Sequence, residues 1–305
     1  LEKLLARARS EIQSDQTLEA WLCRVFGVED QSIAPVTLQA DGGQAGETYW
    51  LRADPVYLSL ERDQLVLHAN APLSAEEARL LCDSLNAHFA TDGLCFIAPH
   101  SQRWYLGLDT VPNIKTFPLA QVAGKNVHPL LPQGIDALHW HGVYNEIQML
   151  LYEHPVNQSR EARGELPINS VWLWGGGLAA RALQCPYARM YSDSDLALAF
   201  AQVAGIPGDA LPDDVIKAIA GIDGDCLIVF EGLRYALQQG DIGSWRERVL
   251  RIERALAKPL LNELRAGRIA RLTLDVLAEG ESHRYVLTRG AAWKFWRRSR
   301  SLPEY

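Results

Sequence analysis

The chain has no surplus of basic residues, no long apolar run and no closely spaced cysteines. Its 305 residues carry 30 Lys and Arg against 37 Asp and Glu, giving a net charge of −7. A general nucleic-acid binder needs a basic face to displace counterions, so no nucleic-acid partner is expected. No stretch approaches the roughly eighteen apolar residues of a membrane span, so none is expected. The opening LEKLLARARSEIQ is charged and amphipathic and lacks the apolar centre of a signal peptide. It does not begin with Met, and residues upstream are therefore expected. The five cysteines (Cys23, Cys82, Cys95, Cys185, Cys226) are scattered, with no pair at zinc or redox spacing. They read as reduced thiols of a cytoplasmic protein. There is no internal repeat and no low-complexity tract. A hydrophobic content of 48% with 22% charged residues is that of a folded globular chain. The length allows one large domain or two ordinary ones.

What is present is a change of period along the chain. Residues 1–27 read as two helices, with Leu1, Leu4, Leu5 and Ala8 and then Leu18, Trp21, Leu22 and Val25 at helical spacing. Ser14 and Asp15 between them are cap candidates. Residues 29–47 read as a loop. Alternation with period two then predicts strands at 49–52, 56–61 and 64–68, with Arg62 and Asp63 as a turn. Ser74 is placed to cap a helix through His88, with Glu76 and Glu77 in its first turn. Strands are predicted at 94–98 and 103–108, a connector at 112–135 and a helix at 137–152. From there strand-like and helix-like segments alternate: strands at 170–174, 225–231, 268–275 and 285–288, helices at 195–205 and 245–265. DCLIVFE (225–231) is nearly all apolar, as in a strand buried on both faces. This alternation predicts an α/β fold with a mainly parallel sheet and helices on both faces. In such sheets ligands sit at the carboxyl ends of strands, where Trp174, Gly175 and Asp275 are expected.

The densest segment is HPVNQSREARGELPINSVWLWGGG, residues 154–177. A strand ending in glycines can present backbone N–H groups to an anion, with Arg160 and Arg163 as counter-charge. Alternatively, Gly175, Gly176 and Gly177 only permit a tight turn. His154 reads as a hydrogen-bonded structural histidine in preference to a base. The tail WKFWRRSRSLPEY sets Lys294, Arg297, Arg298 and Arg300 among aromatics, which fits either an acidic partner or lipid, or a solvated helix end.

These signals, in this order, resemble the archaeal type of cofactor-independent phosphoglycerate mutase, in the alkaline phosphatase superfamily, and more closely the bacterial RpfE-type regulatory proteins. The resemblance rests on YLSLERDQLVLHANAPLSAEEARLL, on Arg103 in SQRWYLGL, on Gly124-Lys125 and on Pro132 with Gly134. It rests above all on HPVN with Arg160 and the run from Asn169 to Gly177. It implies an alkaline-phosphatase-like core domain, 1–48 and 165–305, interrupted by an inserted α+β substrate-type domain, 49–164. It also implies a phosphorylated serine and two divalent metals. The serine position falls on Leu18, with Thr17 the only stand-in. Arg234 and Gln238 take the places of one Asp–His metal pair. In the second pair Asp275 persists but Val276 replaces the histidine, and His283 is a further remnant. Catalytic and metal sites are therefore not expected, and no cofactor is expected. The substrate-side residues Arg103, Lys125, Asn157, Arg160, Arg163, Gly175 and Gly176 are candidates for gripping a phosphate or carboxylate. The competing reading pairs Arg160 and Arg163 with Glu153, Glu161 or Glu165.

The resemblance thus implies a non-catalytic or impaired relative of the mutases, a regulatory protein that binds a small phosphorylated or carboxylated metabolite. One alternative is an active mutase or phosphatase using Mn or Zn, with Asp193, Asp195, Asp241, Asp275 and His283 converging. Another is a purely structural interaction protein.

Overall fold

In a computed structural model of the chain, residues 1–301 are described except Asp15, Asn70, Gln239, Glu279 and Phe295. The cap candidate Asp15 thus lies outside the described residues. Eleven strands are found among the described residues. They are β1 (Arg9–Gln13), β2 (Tyr49–Glu61), β3 (Gln64–His68), β4 (Leu94–His100), β5 (Arg103–Leu108), β6 (Ser170–Gly177), β7 (Arg189–Ser192), β8 (Gly208–Ala210), β9 (Cys226–Val229), β10 (Arg271–Val276) and β11 (Ser282–Thr288). Backbone contacts divide the chain into two compact units. The first comprises Leu1–Leu22, Cys185–Ala201 and Gly205–Tyr305, and the second Cys23–Gln184 with Gln202–Ala204. The expected inserted domain, 49–164, falls wholly inside the second unit. That unit also takes in β6, because β6 pairs with β2.

The expectation of a mainly parallel sheet is corrected. Among the described residues only β8-β7-β9 is parallel. The order β1-β11-β10 and the five strands β3-β2-β5-β4 with β6 on β2 are antiparallel throughout. The cause is the connections: Arg62-Asp63 and Ser101-Gln102 close hairpins too short for a crossover. Both turn residues Arg62 and Asp63 have positive φ, 46° and 69°, as a two-residue hairpin turn demands. β9 also differs from its expected double burial, since three of its four residues are only partly buried. It is an edge strand of a small sheet.

Other elements depart from the expected ones for local reasons. Strand β1 occupies residues read as helix, because its backbone pairs along β11 from Arg9↔Val286 to Gln13↔Ser282. The expected loop 29–47 contains the helix Ile33–Ala40, with Ile33, Ala34, Val36 and Leu38 buried. Strand β2 runs unbroken through Pro55. At that residue β2 is changing partners: β5 pairs with it through Arg52 and β3 from Tyr57, so the missing proline N–H falls where that edge is unpaired. The helix Ala75–His88 forms as expected, with Ser74 and Glu77 in a full capping box.

Each unit has its own core. In the first, Leu4, Leu5, Leu261, Leu264, Tyr285 and Leu287 pack together. In the second, the helix Ile33–Ala40 lays Ala34 and Leu38 against Trp50 and Tyr105 of the five-stranded sheet.

Candidate functional site

In the first unit two of the residues singled out from the sequence, Arg234 and Asp275, stand in ion pairs. The helix Leu18–Phe26 begins just after Thr17, whose hydroxyl accepts the Ala20 N–H at 3.2 Å. Thr17 is thus engaged as a helix cap. Glu19, only 2% exposed, faces Arg234 at 3.2 Å through Oε1. Its other oxygen, Oε2, has no hydrogen-bond partner among the described residues. Arg234 comes from the helix Gly232–Gln238 and also lies 3.9 Å from Glu231. Burial raises the Glu231 carboxyl pKa above the usual range, and Glu19 and Asp193 push the same way against Ser194 and Arg234. Gln238 ends the same helix.

Asp275, at the end of β10, is held from two directions. Arg284 donates two hydrogen bonds to it, both 2.7 Å, and Trp21 Nε1 donates a third at 2.9 Å. Arg284 stands directly across from Asp275 in the β10–β11 register and from Glu11 in the β1–β11 register, so it sits between two carboxylate-bearing strands. His283, next on β11, lies opposite Ile12 and Val276 and stacks on Tyr285 with centroids 6.1 Å apart.

A pair of divalent metals needs several anionic or imidazole donors converging on each ion. These residues do not fit that need. Asp193 accepts the Glu231 and Gly232 N–H groups at 2.6 and 3.1 Å, at the start of the helix Gly232–Gln238. Asp241 caps the helix Ile242–Ile252 through Ser244 N–H at 2.9 Å. Asp275 is taken by Arg284, and a guanidinium lies on Glu19. Among the described residues, no three His, Cys, Asp or Glu side chains are grouped to hold a metal ion.

In the second unit the anion-gripping candidates are tied into internal contacts. Asn157, buried, donates to the Leu151 and Ile168 carbonyls, both at 2.7 Å, and accepts the Ile168 N–H at 2.8 Å. It pins the chain between two helices and β6. Arg160, fully buried, donates to the Leu166 carbonyl at 2.9 Å and to Glu77 at 3.3 Å, and lies 3.4 Å from Glu165. Its second terminal nitrogen is buried without a hydrogen-bond partner among the described residues. Arg163 reaches Glu77 at 2.6 Å and Glu165 at 2.8 Å. The Glu165 pairing was among the competing readings, whereas Glu77 was not anticipated. Lys125 is exposed, beyond the short helix Leu119–Val122. His154 caps the helix Pro155–Ala162: Nδ1 accepts the Val156 N–H at 3.2 Å, so Nε2 carries the proton and donates to Ser84 at 2.9 Å. Burial lowers its pKa by disfavouring the charged ring.

The three glycines lie within β6, not after it. Trp50 pairs with Gly177 and Arg52 with Trp174, so Gly175 and Gly176 together oppose Leu51. This is a β-bulge, with Gly175 in the left-handed region at φ 62°. A Cβ on Gly176 would lie 2.5 Å from the Tyr49 hydroxyl, and one on Gly177 would overlap Ser32. Close packing therefore requires these glycines.

A buried polar network was missed by the sequence reading. Arg52 donates to Asp54 from Nε at 3.0 Å, and Trp174 Nε1 donates to the other Asp54 oxygen at 2.7 Å. The Arg52 guanidinium lies 5.4 and 5.2 Å from the ring centroids of Tyr105 and Trp174. Tyr105 donates to Asp41 at 2.6 Å, and Arg103 binds Asp41 from Nε at 2.9 Å and from a terminal nitrogen at 2.6 Å. Burial alone would raise the Asp41 pKa, but these donors outweigh it and hold the carboxyl below its usual range. At Asp54 burial wins and the pKa is raised. The available signal was LRADPV, two opposite charges at i and i+2 on one face of an apolar strand.

No family model matches the chain. Over 126 residues it is 28% identical to the 2,3-bisphosphoglycerate-independent phosphoglycerate mutase of Methanosarcina acetivorans, covering 41% of this chain and 32% of that protein. Over 168 residues it is 29% identical to a probable mutase of the same type from Geobacter sulfurreducens, covering 52% of this chain and 41% of that protein. The chain thus spans about a third of the length of the curated relatives it first matches. Among solved structures, the PH0037 protein from Pyrococcus horikoshii aligns with 94% of this chain and 79% of its own, with a TM-score of 0.53 and 13% identity. That likeness establishes the mixed α/β fold, and the sequence relatives make the chain phosphoglycerate-mutase-like.

Proposed function

We propose that this chain is a non-catalytic member of the phosphoglycerate-mutase-like proteins, of the RpfE-type regulatory kind and with an alkaline-phosphatase-like ancestry. In this reading it binds a small phosphorylated or carboxylated metabolite without transforming it. The observation that carries the reading is the placement of guanidinium groups on carboxylates at these positions: Arg234, itself standing where the resemblance implies a metal ligand, pairs with the buried Glu19, and Arg284 pairs with the remnant Asp275. A fixed cation beside each carboxylate opposes entry of a dication there. No divalent metal is therefore required by the resting protein. On the metabolite side, an oxyanion must compete with Glu77 and Glu165 for Arg163, and with Asp41 for Arg103.

Elemental analysis of purified protein, followed by a mutase assay on phosphoglycerates with added manganese or zinc, tests the reading. Substoichiometric metal and no turnover are expected. Tightly held metal with phosphoglycerate turnover would establish the active-enzyme alternative. Ligand binding is tested separately by thermal shift with phosphoglycerates, comparing wild type with Glu165→Gln. Loosening Arg163, which Glu77 still holds, is expected to enlarge the shift. No shift in either protein leaves an interaction protein without a metabolite.

A further inference from the structure

Charge is unevenly spread along this acidic chain. Residues 242–301 contain fourteen lysines and arginines against six aspartates and glutamates, so the residues before them hold the whole negative excess. Three of those cations, Arg265, Arg289 and Arg297, converge with Arg7 within the first unit. Arg7, closing the helix Glu2–Arg7, and Arg265, in the helix Lys258–Ala266, both donate to the Ala292 carbonyl, at 2.9 and 3.3 Å. Arg289 donates to the Arg265 carbonyl at 3.3 Å, and Arg297 to the Ala8 carbonyl at 3.1 Å. Backbone carbonyls hold all four guanidinium groups. Among the described residues, no carboxylate forms an ion pair with any of the four. Burial, and then the charge of Arg265, depress the Arg7 pKa. Such a cluster of like charges attracts an external anion.

One indole packs on the cluster, and a second follows it by three residues in the chain. Trp293 packs against the Arg265 guanidinium, 5.5 Å from its ring centroid, yet is 59% exposed, and Trp296 is 66% exposed. Lys294 and Arg298 are interspersed with them. We propose that this face of the first unit docks on the surface of an anionic phospholipid bilayer. Trp293 and Trp296 enter the headgroup layer, and the surrounding cations meet headgroup phosphates. The pairing of exposed tryptophan with clustered cations is the chemistry of the bilayer–water interface. A single-stranded nucleic acid would instead need open ring faces for stacking, and Arg265 covers one face of Trp293. Each cation near an anionic surface contributes about fivefold to partitioning, so binding is peripheral, reversible and salt-sensitive.

Co-sedimentation of the full chain with phosphatidylcholine vesicles containing about 30% phosphatidylglycerol, against phosphatidylcholine alone, tests this. Binding to the anionic vesicles only, released near 0.5 M salt, is expected. Brominated lipid should quench tryptophan fluorescence in wild type and do so less in W293A/W296A. K294E/R298E should weaken binding at least tenfold. This variant reverses charge at the half-buried Lys294 and the exposed Arg298 without touching either indole, and remains informative if the tryptophan variant loses its fold. Equal sedimentation with both vesicles, or none with either, would overturn the proposal. So would unchanged binding by both variants, or tighter retention by a single-stranded oligonucleotide than by the anionic vesicles.

Discussion

Removing Arg234 should expose how much the first unit depends on its ion pair with the buried Glu19. In Arg234→Met the methylene stem is largely kept and the guanidinium is lost. Glu19 then remains 2% exposed, with Oε2 already unpartnered and Oε1 stripped of its 3.2 Å contact. Breaking a buried pair from one side costs about 3–5 kcal/mol. Arg234 is 27% exposed, so water reaches its end of the pair, and a smaller loss of about 2–3 kcal/mol is expected. For a unit of this size that corresponds to a fall in Tm of roughly 5–10 °C. Urea unfolding followed by tryptophan fluorescence, with calorimetry alongside, gives both quantities. The double variant Glu19→Leu/Arg234→Met, which removes both charges, should recover most of the loss. A single variant within about 0.5 kcal/mol of wild type would refute the reasoning, as would a double variant worse than the sum of the two singles.

Two further outcomes test the second unit. Asp41→Asn removes the anion that Arg103 and Tyr105 hold, and should cost about 2 kcal/mol at neutral pH by chemical denaturation. The wild-type carboxyl pKa is depressed in the fold, so its contribution is present above the ordinary aspartate range and disappears as pH falls through the folded value. The gap between the two proteins should therefore close below about pH 4; a gap independent of pH contradicts the assignment. Gly177→Ala places a methyl group on Ser32 and should destabilise by more than about 2 kcal/mol, with partial recovery in Gly177→Ala/Ser32→Gly, read by thermal melts. A neutral Gly177→Ala would mean that the glycines serve something other than close approach.

Local chemistry made several features legible in the sequence. The Ser74–Glu77 capping box starts its helix, the Arg62-Asp63 turn joins two alternating strands, and the 170–174 strand is present inside β6. Each is specified by residues a few positions apart. Strand direction was not legible. Period-two alternation reports which residues share a face but not which strand lies alongside, and short hairpins turned an expected parallel sheet into antiparallel ones. Pairing partners were equally hidden. Arg234 meets Glu19 across 215 positions and Trp21 meets Asp275 across 254, distances over which sequence spacing carries no geometric information. The chain by itself therefore determined which charged groups the protein possesses and where its local turns and caps form. Only the tertiary structure decided which cation neutralises which carboxylate, because a charge removed from water settles on whichever opposite charge the packing of distant segments brings within contact.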